Sequence, residues 1–266
     1  MPNQRIATLL IPLALLSACP RVPVDFGKDG EAHSAQELLK RVALAETSVL
    51  TLKGEGKLFV DTPQGKGSVT IFVAVSHPAL VHLEQLDFFG RPQSVLVTDG
   101  TQFGLYDAQG GQYLHGPATR ATLGRFLPLV MPPDELAGLL LGRAPRIHEK
   151  TSELRFDDEQ RVYVVTLHDG SATQTLTVRP PVDRIEKSTV SGFEAYDVQF
   201  GEVETYGAIS FPKRAVLDAA KAKTHVELSW KDITLNEPAD PTMFELAAPE
   251  GVPSLEVDEF GTTTGR

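Results

Sequence analysis

From residue 50 onward the apolar residues of this chain recur with period two. Leu50, Leu52, Gly54, Gly56, Leu58 and Val60 alternate with Thr51, Lys53, Glu55, Lys57 and Phe59, and Val69, Ile71, Val73 and Val75 alternate with Ser68, Thr70, Phe72 and Ala74. Successive side chains of a strand point to opposite faces, so this spacing predicts half-buried β-strands. Asp61-Thr62-Pro63-Gln64-Gly65 between the two runs reads as a hairpin connection. The same pattern places strands at 80–86, 93–98, 102–106 and 112–114, and again at 152–156, 161–168, 173–178, 183–189, 195–200, 208–214 and 224–235. An antiparallel sheet with one apolar face must bury that face. The expected fold class is therefore mainly β (α+β), with about 11–13 strands that close over a packed core or curl incompletely around a cavity. Phe supplies 13 of the aromatics against 5 Tyr and 1 Trp, and most inward candidates are Val, Leu and Ile. Such a lining suits flexible alkyl chains better than planar cofactors, and it equally suits a filled core.

Three short helices interrupt the strands. Ser34-Ala35-Gln36-Glu37 has the form of a capping box and opens a helix with Leu38, Leu39, Val42 and Ala45 on one stripe, ending near Thr47. Residues 119–127 and 133–141 each carry a leucine-rich stripe, the second started by Pro132-Pro133 and closed by Gly142.

The chain's one cysteine is Cys19. Arg5 gives the start of the chain a positive charge, and residues 6–16 are almost wholly apolar. At about eleven residues that run is too short to span ~30 Å of hydrocarbon at 1.5 Å per residue, and it has the dimensions of a signal-peptide core. Leu16-Ser17-Ala18-Cys19 resembles the bacterial lipobox, in which the cysteine is acylated and becomes the first mature residue. Pro20 follows, not the aspartate of an inner-membrane retention signal, so the expected location is the cell envelope, lipid-anchored, at the outer membrane facing the periplasm. The expected plan is signal peptide 1–18, lipidated N-terminus and spacer 19–32, one β-rich domain 33–252, and a flexible tail 253–266.

Gly-x-Ser-x-Gly, His-Glu-x-x-His and Gly-x-Gly-x-x-Gly after a strand are all missing, and Gly65-Lys66-Gly67-Ser68 lacks phosphate-loop spacing. His33, His77, His82, His115, His148, His168 and His225 stand singly, so no metal site is expected. Asp157-Asp158-Glu159 reads as a solvated hairpin tip. A net charge of −10 argues against nucleic-acid binding, which needs a basic face. No enzymatic activity and no cofactor are expected.

The order of elements resembles the LolA/LolB superfamily of bacterial lipoprotein carriers, and is most similar to its LolB branch. Four segments carry the resemblance: Gly54-Glu55-Gly56-Lys57-Leu58-Phe59-Val60 is similar to the family's first strand; His82-Leu83-Glu84-Gln85-Leu86-Asp87-Phe88-Phe89-Gly90-Arg91-Pro92 to the strand and protruding loop of LolB; Met131 to Gly142 to the proline-led lid helix; and Asp240-Pro241-Thr242-Met243-Phe244-Glu245-Leu246 to the closing segment. The resemblance implies an incomplete, strongly curved antiparallel β-barrel with an N-terminal helix and a two-helix lid. It implies a monomer that accepts acyl chains of lipoproteins or other lipids from a soluble periplasmic LolA-like carrier and helps insert them into the outer membrane. Phe88, Phe89 and Gly90 would form the membrane-insertion loop. The apolar phases of the alternation put Leu52, Leu58, Ile71, Val73, Leu83, Val95, Val97, Phe103 and Leu105 on the cavity wall. Leu123, Phe126, Leu127, Leu136, Leu139 and Leu140 would form the lid. The alternatives are an anchored binding protein that holds a hydrophobic ligand without transfer, and a structural envelope lipoprotein with a filled interior.

Overall fold

The computed structural model describes residues 23–181, 183–192, 194–245 and 247–264. Cys19 and the expected export signal lie outside the described residues. The described chain begins with helix α1 (Ala35–Glu46) and strands β1 (Thr51–Thr62), β2 (Gly65–Ser76), β3 (Leu80–Leu86), β4 (Pro92–Thr98), β5 (Gln102–Asp107) and β6 (Gln112–Pro117). Helices α2 (Arg120–Phe126) and α3 (Pro133–Leu140) follow. Then come β7 (Thr151–Asp157), β8 (Val162–His168), β9 (Thr173–Arg179), β10 (Arg184–Ser191), β11 (Tyr196–Tyr206), β12 (Ile209–Ala219), β13 (Thr224–Leu235) and, after a 3-10 turn at Pro241–Phe244, β14 (Ser254–Glu256).

All fourteen strands belong to one sheet in the order β14-β6-β5-β4-β3-β2-β1-β13-β12-β11-β10-β9-β8-β7. Neighbours are antiparallel except β14, which runs parallel to β6. The two meanders expected from the sequence are thus one sheet, joined along β1 and β13. That seam needs glycine. A Cβ on Gly54 would sit 2.2 Å from the Asp232 carbonyl oxygen, so only a bare α-carbon lets the strands approach. The edges β7 and β14 do not pair, so the barrel is incomplete, as expected.

The helices start and stop where local chemistry dictates. Ser34 caps α1 by accepting from the Glu37 N–H, and Thr119 and Thr122 form a capping box on α2. Pro133 sits at the first position of α3, where its missing N–H costs nothing. At the other end Gly142 takes φ +75°. Its N–H donates to Leu139 O at 3.1 Å and that of Arg143 to Gly138 O at 2.9 Å, which is a Schellman stop.

Register puts Val73, Leu83, Leu96, Leu105 and Leu114 in one cross-strand row on the concave face. Leu38, Leu39, Val42, Leu123, Leu136 and Leu140 of the three helices bury against that face in the main core. A second, smaller core lies on the opposite face: Ala74, Val95 and Val97 pack with Phe244 from the 3-10 turn. His82 Nδ1, 2.6 Å from Met243 O, ties that turn to the sheet.

Two segments differ from the expected plan. Within the expected spacer, Phe26 packs edge-on against Phe156 at 5.2 Å, Arg161 Nη2 donates to Pro23 O at 2.6 Å, and the Ala32 N–H donates to Tyr163 Oη at 2.7 Å. Within the expected tail, β14 adds the fourteenth strand and Val257 is buried, its N–H donating to His115 O at 2.8 Å. Neither segment has a periodic pattern, because each is held by single aromatic or backbone contacts with distant residues.

Candidate functional site

The concave face, α3 and the 127–129 segment enclose a cavity of about 60 Å³, whose fourteen lining residues are all Leu, Ile, Val, Ala or Pro. Ligand sites for drug-sized molecules run larger, to about 300–1,000 Å³.

Of the nine expected wall residues, Leu58, Ile71 and Leu83 line the cavity. Leu52, Val73, Phe103 and Leu105 belong to the same core but are packed away from the open space. Val95 and Val97 are corrections. They lie on the opposite face, under Phe244, and Leu96 between them faces inward. Both faces of β4 are covered, so Val95-Leu96-Val97 carries no alternation from which to choose a phase. Among the expected lid residues, Leu127, Leu136, Leu139 and Leu140 line the cavity. Leu123 is fully buried and Phe126 packs on Phe103 at 5.7 Å, so both anchor α2 to the sheet. The far wall was missed: Ala215, Leu217, Val226 and Leu228 come from β12 and β13. Their alternation was visible in the sequence, but their arrival beside β1 depends on the β1–β13 pairing.

Arg120 joins the segments that cover the sheet. Arg120 on α2 donates to Glu194 Oε2 at 2.9 Å and to Val130 O at 3.4 Å, and lies 3.6 Å from Glu135 on α3. Burial pushes the Glu135 carboxyl up from its ordinary value, against the pull of Arg120.

The 87–91 loop between β3 and β4 presents Phe88 and Phe89 outward, at 96% and 78% exposure. Asp87 holds its base. Its carboxylate accepts from the Phe89 N–H at 2.8 Å, the Arg91 N–H at 2.9 Å and Arg91 Nε at 2.9 Å. These bonds, led by the Arg91 N–H, keep the Asp87 carboxyl below the ordinary aspartate value. Gly90 takes φ +77°, which a larger residue would resist. The rings meet edge to face at 5.5 Å, and the Arg91 guanidinium lies 5.3 Å over Phe89. The loop shares its end of the sheet with the β1–β2 and β12–β13 turns. Wall residues Leu58, Leu217, Val226 and Leu228 lie in the half of their strands nearer that end.

No family model and no curated protein sequence matches the chain. Solved structures do. A domain from Vibrio parahaemolyticus described as an outer membrane lipoprotein-sorting protein aligns at TM-score 0.56 and 10% identity, over 78% of this chain and 94% of its own. A LolA superfamily protein from Nitrosomonas europaea aligns at TM-score 0.55 and 12% identity, over 80% of this chain and 99% of its own. The fold is LolA-like. A DUF1329 family protein from Desulfovibrio piger has the same fold, at TM-score 0.55 and 10% identity over 79% of this chain and 95% of its own. This LolA-like sheet carries its cavity under the helices, with an aromatic loop at one end. Among the described residues no group of three or more His, Cys, Asp or Glu could hold a metal ion.

Proposed function

We propose that this chain is a lipid-anchored envelope protein that takes acyl chains of lipoproteins or other lipids into the cavity under α3. The single observation that carries this reading is the cavity wall, aliphatic on every side and closed by helices on a sheet whose own edges remain open. Burial of a chain is worth about 0.8 kcal/mol per methylene, so an apolar cavity offers an acyl chain a solvent that water does not. No bond is made or broken in this reading, and the protein needs no cofactor. In its finer form the protein receives lipoproteins from a soluble LolA-like carrier and inserts them into the outer membrane through Phe88 and Phe89. That loop would be the apolar contact through which chains leave the cavity.

A second reading, an anchored protein that holds its ligand without transfer, draws support from the position of Pro23. It lies at the end of the strands opposite Phe88 and Phe89, and Cys19 precedes it by only four residues. Lipid extraction and mass spectrometry on the purified mature protein tests the shared reading; a preparation devoid of lipid, even after incubation with labelled lipoprotein, ends it. Phe89→Glu then separates the two. Under the transfer reading this variant folds and binds but fails to deliver to vesicles, whereas delivery at the rate of the parent protein removes the loop from the mechanism.

A further inference from the structure

A second loop has the same construction as the one that carries Phe89. In the 258–262 loop the Asp258 carboxylate accepts from the Phe260 N–H at 3.0 Å and the Thr262 N–H at 2.8 Å. The Asp258 N–H donates to Thr262 O at 2.9 Å, as that of Asp87 does to Arg91 O at 2.9 Å. Gly261 takes φ +83° and its N–H donates to Asp258 O, as Gly90 does at φ +77° to Asp87 O. The strings Asp87-Phe88-Phe89-Gly90 and Asp258-Glu259-Phe260-Gly261 thus build one device twice: an aspartate-closed turn that holds a phenylalanine ring in water. Phe260 is 75% exposed.

The two devices sit at opposite ends of the strands. β14 runs parallel to β6 and away from the Phe88–Phe89 end, so the 258–262 loop arrives where β6 gives way to α2. Thr119 Oγ1 donates to Glu259 O at 2.9 Å and fastens it there. Gly261 packs on α2, where a Cβ would lie 3.4 Å from Arg125 Cδ. Val130, also exposed, covers Gly124 of the same helix. Pro23 belongs to this end as well, because its partner Arg161 lies in the turn between β7 and β8. Four residues reach at most about 14 Å, so Cys19 lies within that distance of Pro23.

We propose that Phe260, with the exposed Arg125 of the neighbouring helix α2, rests on the bilayer surface next to the lipid anchor. The inference rests on reading Cys19 as acylated. An aromatic ring at the headgroup level and a guanidinium among lipid phosphates are each favourable there. The anchored molecule then stands on its Phe260 end with the Phe88–Phe89 end facing away from the membrane, the arrangement of the holding reading and not of delivery through Phe89.

The test uses the full-length acylated protein in phosphatidylethanolamine–phosphatidylglycerol vesicles that contain brominated lipid. Phe260→Trp and Phe88→Trp are compared, each against the parent with its buried Trp230. The expected result is loss of emission from the Phe260→Trp variant and none from Phe88→Trp. Quenching confined to Phe88→Trp, or absent from both, overturns the inference. So does a vesicle-free spectrum showing the Phe260→Trp ring already shielded from water, which would mean that another part of the chain covers it. Mass spectrometry of the mature N-terminus keeps the underlying reading distinguishable. An unmodified Cys19 overturns the anchoring itself, whereas an acylated Cys19 with an unquenched Phe260→Trp variant overturns only the orientation.

Discussion

The Gln174 side-chain amide donates to Ser188 Oγ at 2.8 Å in the fully buried layer beneath the segment that follows the lid helix. The same amide donates to Pro145 O at 2.7 Å and accepts from the Ile147 N–H at 3.0 Å. One side chain on β9 therefore satisfies two buried polar groups and a half-buried one, and ties the exit of α3 to the sheet. Gln174→Leu keeps the volume and orphans all three. With about 1–3 kcal/mol for each buried unsatisfied group, partly relieved by entering water, the expected loss is about 2–4 kcal/mol. Denaturant unfolding measures it; a loss under 1 kcal/mol would mean that the 143–150 segment is not held from below.

The β1–β13 seam offers a sharper test of the fold. A methyl on Gly54 collides with backbone at Asp232, which cannot move aside as a flexible side chain would. Gly54→Ala is expected to cost about 1–3 kcal/mol, or to prevent folding. Gly67→Ala, on β2 with nothing within 4 Å, is the matched control and should stay within about 0.5 kcal/mol. Equal midpoints for the two would deny the close approach.

The cavity wall can be filled without touching a polar group. Ala215 on β12 lines the space from the side opposite the helices. Ala215→Phe should occupy it, changing stability by no more than about 1–3 kcal/mol while reducing bound lipid. Lipid content per mole of protein decides the matter. Undiminished lipid in a folded variant would place the ligand elsewhere.

Arg120 joins α2 to the Val130 carbonyl and to Glu194, with Glu135 of α3 nearby. Its side chain is 41% exposed, and partly exposed pairs contribute about 0–1 kcal/mol. Arg120→Met should therefore leave the unfolding midpoint almost unchanged and speed uptake of a fluorescent fatty acid, since the lid pieces separate more readily. Unchanged uptake kinetics would count against lid movement through this contact.

The Asp87 turn has a pH dependence of definite sign. A carboxyl whose folded pKa is depressed adds stability above its unfolded value, about 3.9, and loses it as pH falls through the folded value. The Phe89 and Arg91 amides should accordingly hold their chemical shifts at pH 5 and move toward coil values only below about pH 4. Asp87→Ala should release both amides at every pH. An ordered turn in that variant would show that Gly90 and the backbone bonds suffice.

Much of the architecture was legible because it is local. Period-two alternation marked the strands, while Ser34, Pro133 and Gly142 marked helix ends through bonds that span a few residues. The turn at Phe260 was not legible: the sequence placed it in a flexible tail, and its likeness to the Phe89 turn emerged from the hydrogen bonds that Asp258 and Asp87 accept. The site was legible only in part. A continuous run such as Val95-Leu96-Val97 has no phase, so its inner residue is decided by what covers each face, and Phe244 covers one of them. Likewise, Leu217 and Val226 become cavity wall only because β13 pairs with β1.

By itself, then, the sequence determined thirteen of the strands, the three helices and the loop at Phe88 and Phe89, all properties of bonds and spacings within a short stretch of chain. Tertiary structure decided which faces turn inward, that the two meanders share one open sheet, and that Pro23 and Phe260 lie at the end opposite Phe89. Those facts follow from pairings between distant residues, which local periodicity does not encode.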